Sequence, residues 1–366
     1  MSKKVFVLGA GFSMPAGAPS QAALLRKILQ YNGNNYGNPV EQWIRELKEF
    51  LSSAFILDPE EMENICLEDI YTPIDKCISE NSSFRGYSVE AIKKIQNQLN
   101  TLIAIVLDSS IINLDPKSDY NELFVSKLVS QKHEHPTTDK FSIISTNWDI
   151  ILDNRFFRHL RGSSSVVDYG CQVAGIDSND NIIPPLVAKT KGGYTIKCLK
   201  IHGSLNWLKC PNCQRIYVSK NEKIAIPEHT LEKKCRICER QAFAANGGIN
   251  LSPHILMPTF LKSMSDVQFK LIWNQAAKEI SEASNIVFIG YSFPQADFEL
   301  RQLLARHVPN DCNIEVVLHS EDGSGPLPNS DLYWTSPEFR YKSFFGKRLK
   351  NVSYAGVEEY VNALRL

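Results

Sequence analysis

The ten residues K-V-F-V-L-G-A-G-F-S, at positions 4–13, carry the pattern that decides the fold. The apolar and β-branched run at their start predicts a strand that is buried on both faces. The glycines behind it predict a sharp turn, and Gln21–Leu29 is rich in residues that favour a helix. This order is typical of a dinucleotide-binding turn, although a plain strand-to-helix turn has the same signature. No Gly-Lys-Ser/Thr follows the glycines, which excludes a P-loop.

Similar apolar runs recur at wide intervals along the chain, mostly with a polar or glycine loop and a helical pattern behind them. Strands that are apolar throughout and separated by helices predict a parallel sheet covered on both faces. The sequence therefore predicts an α/β protein with a Rossmann-like parallel sheet. The further predicted strands are Phe141–Ser145, Thr195–Ile201, Ile286–Gly290, Ile314–His319 and Val352–Ala355.

Two insertions are predicted within this sheet protein. Residues 33–135 show helical periodicity and predict a helical insertion, and residues 204–255 predict a second, smaller insertion around four cysteines. Residues 1–32, 136–203 and 256–366 are left for the Rossmann-like core. The predicted helices of the first insertion are Val40–Phe55, Pro59–Asn81, Val89–Leu107 and Asn121–Gln131.

Composition and charge narrow the class of partner. The 366 residues contain 40 Lys plus Arg and 40 Asp plus Glu, so no overall field attracts nucleic acid or a membrane surface. No apolar stretch approaches the roughly 20 residues of a spanning helix. The apolar run Val5–Leu8 ends in glycine, which favours a strand over a signal peptide. We expect a cytoplasmic protein, with neither a membrane nor a nucleic acid as partner.

Four of the nine cysteines form two Cys-x-x-Cys pairs, Cys210 with Cys213 and Cys235 with Cys238. Each pair directs two thiolates at one tetrahedral ion, which predicts a structural zinc site with a closed ligand shell. A redox dithiol is the alternative, and two such pairs make it the weaker one. The remaining cysteines are expected to be inert packing residues; they are Cys66, Cys77, Cys171, Cys198 and Cys312.

Polar or glycine residues end four of the predicted strands. They are the turn Gly9–Ser13, the stretch Ser145–Asp149, His202 with Gly203, and Gly290 with Ser292. Because ligands of open α/β sheets bind at the carboxyl ends of the strands, their convergence predicts a nucleotide cleft. The side chain of histidine has an ordinary pKa near neutral pH, so His202 is a candidate general base. Each position also has a structural alternative: Thr146 or Asn147 as a helix N-cap, and His202 as a partly buried packing residue.

The order of these motifs resembles the sirtuins. The matching residues are Gly-Ala-Gly-x-Ser-x-x-x-Gly-x-Pro at 9–19, Asn147 and Asp149, His202-Gly203 directly before the four cysteines, and Gly290-x-Ser292. The resemblance implies a sirtuin-type Rossmann-like sheet that binds NAD, flanked by a zinc subdomain. It implies that Asn147 and Asp149 position the ribose and carboxamide and that His202 is the general base. The implied NAD-binding residues are Gly9, Ala10, Gly11, Ser13, Thr146, Gly290 and Ser292.

Two departures change the expected reaction. Deacylating sirtuins follow Gly-x-Pro with Asp-Phe-Arg, whereas this chain has Ser20-Gln21-Ala22, and Thr146 stands where they carry glutamine. The loss of the screening aromatic residue favours attack by water. In these features and in its helical insertion the chain resembles the sirtuin-like NADases of bacterial antiphage defence.

That resemblance implies an NAD+ hydrolase that releases nicotinamide and ADP-ribose and depletes NAD. It also implies a homo-oligomer and a regulatory protein partner, such as an ATPase or a phage component. Two alternatives remain: an NAD-dependent protein deacylase or ADP-ribosyltransferase, and a nucleotide-binding sensor or scaffold without catalysis.

Overall fold

The structure is a computed structural model of the chain. It describes residues 3–32, 38–111, 119–176, 182–183, 192–219, 233–240, 249–262, 264–320, 323–328 and 330–365. Among the helices so described, none has the length and apolar character needed to cross a membrane.

A seven-stranded sheet forms the centre of the fold. The central strand β1 (Lys4–Leu8) runs parallel to its neighbour on each side, and every other pairing in this sheet is also parallel. The strand order is β12-β11-β10-β1-β2-β6-β3. The predicted Rossmann-like parallel sheet is therefore confirmed. The other strands are β2 (Phe141–Ser145), β3 (Val166–Asp168), β6 (Thr195–Lys200), β10 (Asn285–Ile289), β11 (Asn313–Val317) and β12 (Leu349–Ser353).

A second, five-stranded sheet follows β6 along the chain and carries the cysteines. Its order is β5-β4-β8-β7-β9, with a parallel β4–β8 pair and antiparallel pairing elsewhere. The first cysteine pair follows β7, and β8 returns antiparallel to β7. The strands are β4 (Val173–Ile176), β5 (Ile182–Ile183), β7 (Gly203–Lys209), β8 (Ile216–Ser219) and β9 (Ser252–Ile255).

Fourteen α-helices lie within the described residues, together with 3-10 turns at Met14–Ala16 and Gly346–Arg348. The helices are α1 (Ala10–Ser13), α2 (Gln21–Leu29), α3 (Asn38–Ala54), α4 (Pro59–Met62), α5 (Leu67–Glu80), α6 (Val89–Ser110), α7 (Tyr120–Glu134), α8 (Ile151–Leu160), α9 (Arg236–Arg240), α10 (Val267–Ser281), α11 (Phe298–His307), α12 (Asp331–Thr335), α13 (Pro337–Phe345) and α14 (Gly356–Ala363).

One predicted helix is divided. The segment Pro59–Asn81 forms α4 and α5, with a break at residues 63–66. Asn64 lies in this break and donates from Nδ2 to the carbonyl of Glu60 at 3.0 Å. Local side-chain bonds of this kind compete with a continuing helix, and the periodicity of the apolar residues does not reveal them.

The chain divides into two compact units. One holds residues 1–16, 113–255 and 264–366, and therefore both sheets; the other holds residues 17–112 and 256–263. In the helical unit, Thr259 is buried and Thr72 Oγ1 accepts a hydrogen bond from the backbone N–H of Phe260 at 3.1 Å. The division of the sequence into a core, an insertion at 33–135 and a zinc module at 204–255 stays a prediction.

Candidate functional site

The turns after β1 and β10 are packed backbone against backbone. Gly9 N–H donates to Ile289 O at 3.0 Å, and Gly11 N–H donates to Gly290 O at 2.8 Å. A Cβ on Gly9 would lie 2.6 Å from the Tyr291 Cα, and one on Gly290 would lie 2.2 Å from the Phe12 nitrogen. Gly290 also has φ +61°, where glycine is favoured. The predicted binding glycines are therefore required for this close approach, and Ala10 opens α1 beside them.

Asn147 is held in one orientation by the turn after β1. Its Nδ2 donates to the Gly9 carbonyl at 2.9 Å and to Ser13 Oγ at 3.1 Å. A backbone carbonyl only accepts hydrogen bonds, so the amide nitrogen faces Gly9 and Oδ1 faces away. Within the described chain, no donor contacts Oδ1. The orientation leaves this oxygen available as an acceptor.

Thr146 and Asp149, both predicted to contact the ligand, make hydrogen bonds within the protein. Thr146 donates from its backbone N–H and its Oγ1 to the Leu8 carbonyl, at 3.0 and 3.1 Å. Asp149 Oδ1 accepts from the Ile151 N–H at 3.1 Å, at the start of α8. The N-cap residue of α8 is Ile150, which makes no side-chain capping bond, so the alternative that Thr146 or Asn147 caps this helix is wrong.

Asp149 is a buried residue, 6% exposed. Burial raises its pKa, while the Lys200 charge and the Ser13 hydroxyl lower it. Ser13 thus accepts from Asn147 and donates to Asp149, and it connects the two residues. The side chain of Asp149 contacts the interior of the protein, whereas Asn147 presents its oxygen outward.

A buried ion pair between Lys200 and Asp153 lies next to Asp149, and the sequence did not predict it. Lys200, 1% exposed, donates from Nζ to Asp149 O at 2.6 Å, to Asp153 Oδ2 at 2.8 Å and to Ser204 Oγ at 2.7 Å. Tyr169 donates to the other Asp153 oxygen at 2.6 Å. All of these polar atoms find partners, so the charge is tolerated. The position of Lys200 at the end of an apolar strand was the sequence feature that could have indicated a buried ion pair.

His202 follows β6 and is 6% exposed. Its Nδ1 lies 3.1 Å from the Thr146 carbonyl, which can only accept. Nδ1 therefore carries the proton, and in the neutral ring Nε2 carries the lone pair. Trp273 supports the turn by donating from Nε1 to the Ile201 carbonyl at 2.9 Å. The ring is positioned as a proton acceptor at Nε2.

Asp297 is the second residue that the sequence did not indicate. Its Oδ1 lies 3.6 Å from His202 Nε2, and its Oδ2 accepts from the Tyr291 hydroxyl at 2.6 Å. Burial, followed by the Asp297 charge, raises the pKa of Tyr291 well above its usual value, so the phenol remains a donor. Asp297 is in place to stabilise a protonated imidazole.

The order β10-β1-β2-β6 makes these strand ends neighbours. The structure therefore brings together Gly9, Gly11, Ser13, Asn147, His202 and Gly290. Ser292 is exposed, and it enters the arrangement through its carbonyl, which Arg340 binds from Nε and Nη2 at 3.0 and 2.9 Å. The geometry can orient a hydroxyl at Asn147 and accept a proton at His202.

The four predicted zinc ligands lie together. Their sulfur atoms are within 4.8 Å of one another, with 3.7 Å between Cys210 and Cys238 and 3.6 Å between Cys213 and Cys235. Tetrahedral coordination at a Zn–S distance of about 2.3 Å requires sulfur separations of about 3.8 Å. The cluster therefore fits a zinc site. Most of the gap between the pairs, residues 220–232, lies outside the described residues.

The polar neighbours of the cluster fit thiolate ligands. Asn212 Nδ2 lies 3.4 Å from Cys238 Sγ, and the Tyr217 hydroxyl lies 3.1 Å from Cys235 Sγ. Such donors stabilise coordinating sulfurs from outside the ligand shell. Leu208 and Leu251 are buried in the same cluster.

The other cysteines largely match the expected packing role. Cys77, Cys171, Cys198 and Cys312 are buried, whereas Cys66 is exposed and precedes α5. Burial raises the pKa of Cys171 to about 12 and that of Cys312 to about 11. These two thiols are therefore protonated and poorly reactive at neutral pH.

No protein-family model matches the chain, and no curated protein does. Among solved structures, the chain is similar to a Sir2 variant with a deacetylated p53 peptide and 3'-O-acetyl ADP-ribose (12% identity, 98% of this chain, 91% of that chain, TM-score 0.42). It is also similar to a structure addressing the mechanism and regulation of Sir2 enzymes (12%, 99%, 89%, TM-score 0.41). A third is a Sir2 enzyme bound to a propionylated peptide (13%, 98%, 90%, TM-score 0.38).

Proposed function

We propose that the protein is a sirtuin-like NAD+ hydrolase that cleaves NAD to nicotinamide and ADP-ribose. One observation carries the proposal: the Thr146 carbonyl holds the proton of His202 at Nδ1 and leaves Nε2 as a base, at the edge where Asn147 presents its oxygen. Cleavage of an N-glycosidic bond through an oxocarbenium-like transition state needs a positioned nucleophile and a proton acceptor.

Asn147 and His202 have different roles in the proposed reaction. Asn147 Oδ1 accepts a hydrogen bond from a ribose hydroxyl or from the attacking water, because both of its N–H groups are taken by Gly9 and Ser13. His202 Nε2 accepts the proton, which contributes about 10²–10⁴-fold. Asp297 stabilises the imidazolium that results.

Other residues hold NAD in place. We propose that Gly9, Ala10, Gly11 and Gly290 let its phosphates approach the backbone, with Ser13, Thr146 and Ser292 as further contacts. Asp149 is proposed to bind the carboxamide. Since Asp149 is buried and bonded to Ile151 N–H, this role requires its side chain to turn toward the ligand.

The wider role extends the resemblance to antiphage NADases. We propose a cytoplasmic homo-oligomer that depletes NAD during phage infection and is controlled by a partner protein such as an ATPase or a phage component. A structural zinc ion at Cys210, Cys213, Cys235 and Cys238 would stabilise the fold rather than take part in the reaction. Metal content of the purified protein tests this assignment.

The direct test is incubation of the purified protein with NAD, resolved by chromatography for nicotinamide and ADP-ribose. We expect both products from the wild type and none from His202→Ala or Asn147→Ala. His135→Ala is the matched control, because His135 is exposed and outside the site. Full activity in either site variant would refute the assignment of these residues.

The molecule that accepts the ADP-ribosyl group distinguishes the hydrolase from the alternative functions. A deacylase releases nicotinamide only when an acyl-lysine peptide is present, and an ADP-ribosyltransferase modifies a protein, whereas a hydrolase needs neither. A nucleotide-binding sensor binds NAD and releases nothing. The missing Asp-Phe-Arg after Pro19 favours water as acceptor.

A further inference from the structure

The loop Gly290–Asp297 makes two sets of polar contacts, one through its side chains and one through its carbonyl groups. Through the side chains of Tyr291 and Asp297 it contacts the His202 site. Through its carbonyl groups it contacts two arginines: Arg340 bonds to Ser292 O, and Arg301 Nη1 lies 3.4 Å from Phe293 O. The two arginines therefore bind the loop on carbonyls that the His202 site does not use.

These arginines line a separate cavity of about 420 Å³. This volume lies within the roughly 300–1,000 Å³ of sites for small organic ligands. Aromatic and hydroxyl side chains complete the wall. The lining residues are Gln295, Arg301, Trp334, Thr335, Phe339, Arg340 and Ser343.

The cavity holds positive charge without a compensating carboxylate. Throughout the part of the chain that the structure describes, no Asp or Glu forms a salt bridge with Arg301 or Arg340. Burial lowers the pKa of Arg340, and the nearby Arg301 charge lowers it further. Two guanidinium groups that share one wall favour an anion that each can bind through remaining N–H donors.

The same cavity also has an apolar surface, formed by Trp334 and Phe339. Trp334 is 51% exposed, and its ring lies 5.0 Å from the Phe339 ring at 78°, so the two rings form an open corner. Arg301 itself rests on the Phe293 ring, with 4.3 Å between Cζ and the centroid. A planar ring can stack on Trp334 while an attached anion reaches the arginines.

We propose that this cavity binds a nucleoside phosphate, with the phosphate on Arg301 and Arg340 and the base on Trp334. The site is separate from the strand ends that carry Asn147 and His202. Its occupancy does not depend on NAD hydrolysis. The loop Gly290–Asp297 contacts both places.

Calorimetric titration with ADP tests the proposal, since binding is measured without turnover. We expect Arg301→Gln and Trp334→Ala each to weaken ADP binding by about 10-fold or more, from the loss of a charged hydrogen bond or a stacking surface. Lys342→Gln is the matched control: it removes an exposed cation from α13 that does not line the cavity, and we expect unchanged affinity.

Two further titrations distinguish this site from the proposed NAD site. Asn147→Ala is expected to retain ADP binding, and inorganic phosphate alone is expected to bind more weakly than ADP. ADP binding that is kept at full strength in Arg301→Gln would overturn the proposal, whether or not Asn147→Ala retains it, as would phosphate binding as tightly as ADP. Absence of ADP binding by the wild type up to millimolar concentration would also overturn it.

Discussion

The stability of the sheet unit should depend on pH through His254, a histidine outside the candidate site. It is buried, its ring stacks on Phe269 at 4.3 Å, and Trp207 lies beyond at 6.5 Å. Burial lowers its pKa from 6.5 to about 4, and Lys209 adds to this, although the nearby Asp266 opposes it. The folded protein therefore holds this histidine neutral where the unfolded chain protonates it.

The sign and size of the effect follow from this shift. Well above pH 6.5 this residue is unprotonated in both states, and it does not affect stability. As the pH falls from 6.5 toward 4, the unfolded chain gains a proton that the folded protein does not, so the free energy of unfolding falls. The full shift corresponds to about 3 kcal/mol, of which about 2 kcal/mol is lost by pH 5.

Urea unfolding of the wild type and of His254→Phe, at about pH 7.5 and about pH 5, measures the effect. Phenylalanine keeps a ring between Trp207 and Phe269 and does not titrate. Every other titrating group is common to both proteins, so we expect the wild type to lose about 2 kcal/mol relative to the variant on acidification. Equal losses in the two proteins would refute the assignment of a depressed pKa to His254.

Four further perturbations test other parts of the structure. Gly290→Ala should weaken NAD binding and destabilise the protein by more than Gly323→Ala. Both glycines have positive φ, but of the two only Gly290 has backbone atoms within 4 Å of an added Cβ. Thermal melts and NAD titration compare the two variants. Lys200→Met leaves Asp153 buried without its cation and should cost about 3–5 kcal/mol in urea unfolding. Asp297→Asn should lower kcat for NAD cleavage by about 10-fold or more while KM changes little, since a protonated His202 loses its ion pair; an unchanged kcat would contradict this role. A zinc chelator should lower the melting temperature, as measured by calorimetry, and added zinc should restore it.

Local patterns were sufficient for much of the fold. The buried strand β2 coincides with its predicted range, and β1 covers the apolar run predicted as a strand at the start of residues 4–13. A short apolar run that ends in a glycine or polar loop is typical of a buried strand. The two Cys-x-x-Cys pairs predicted a cluster that the structure assembles within 4.8 Å. The sequence also predicted that the glycine turn, Asn147 and His202 follow strands, because each comes directly after an apolar run. Their catalytic roles stay a prediction.

The sequence by itself therefore determined the α/β class, the parallel sheet and the residues at its carboxyl edge, since these depend on neighbours along the chain. Only the tertiary structure decided which strands are adjacent, and hence that Gly290 meets Gly11 and that Asp297 meets His202. It also decided that Lys200 turns inward to Asp153 and that Arg301 and Arg340 share a cavity. Such contacts join residues far apart in the chain. They follow from the packing of the strands and helices, which no local periodicity records.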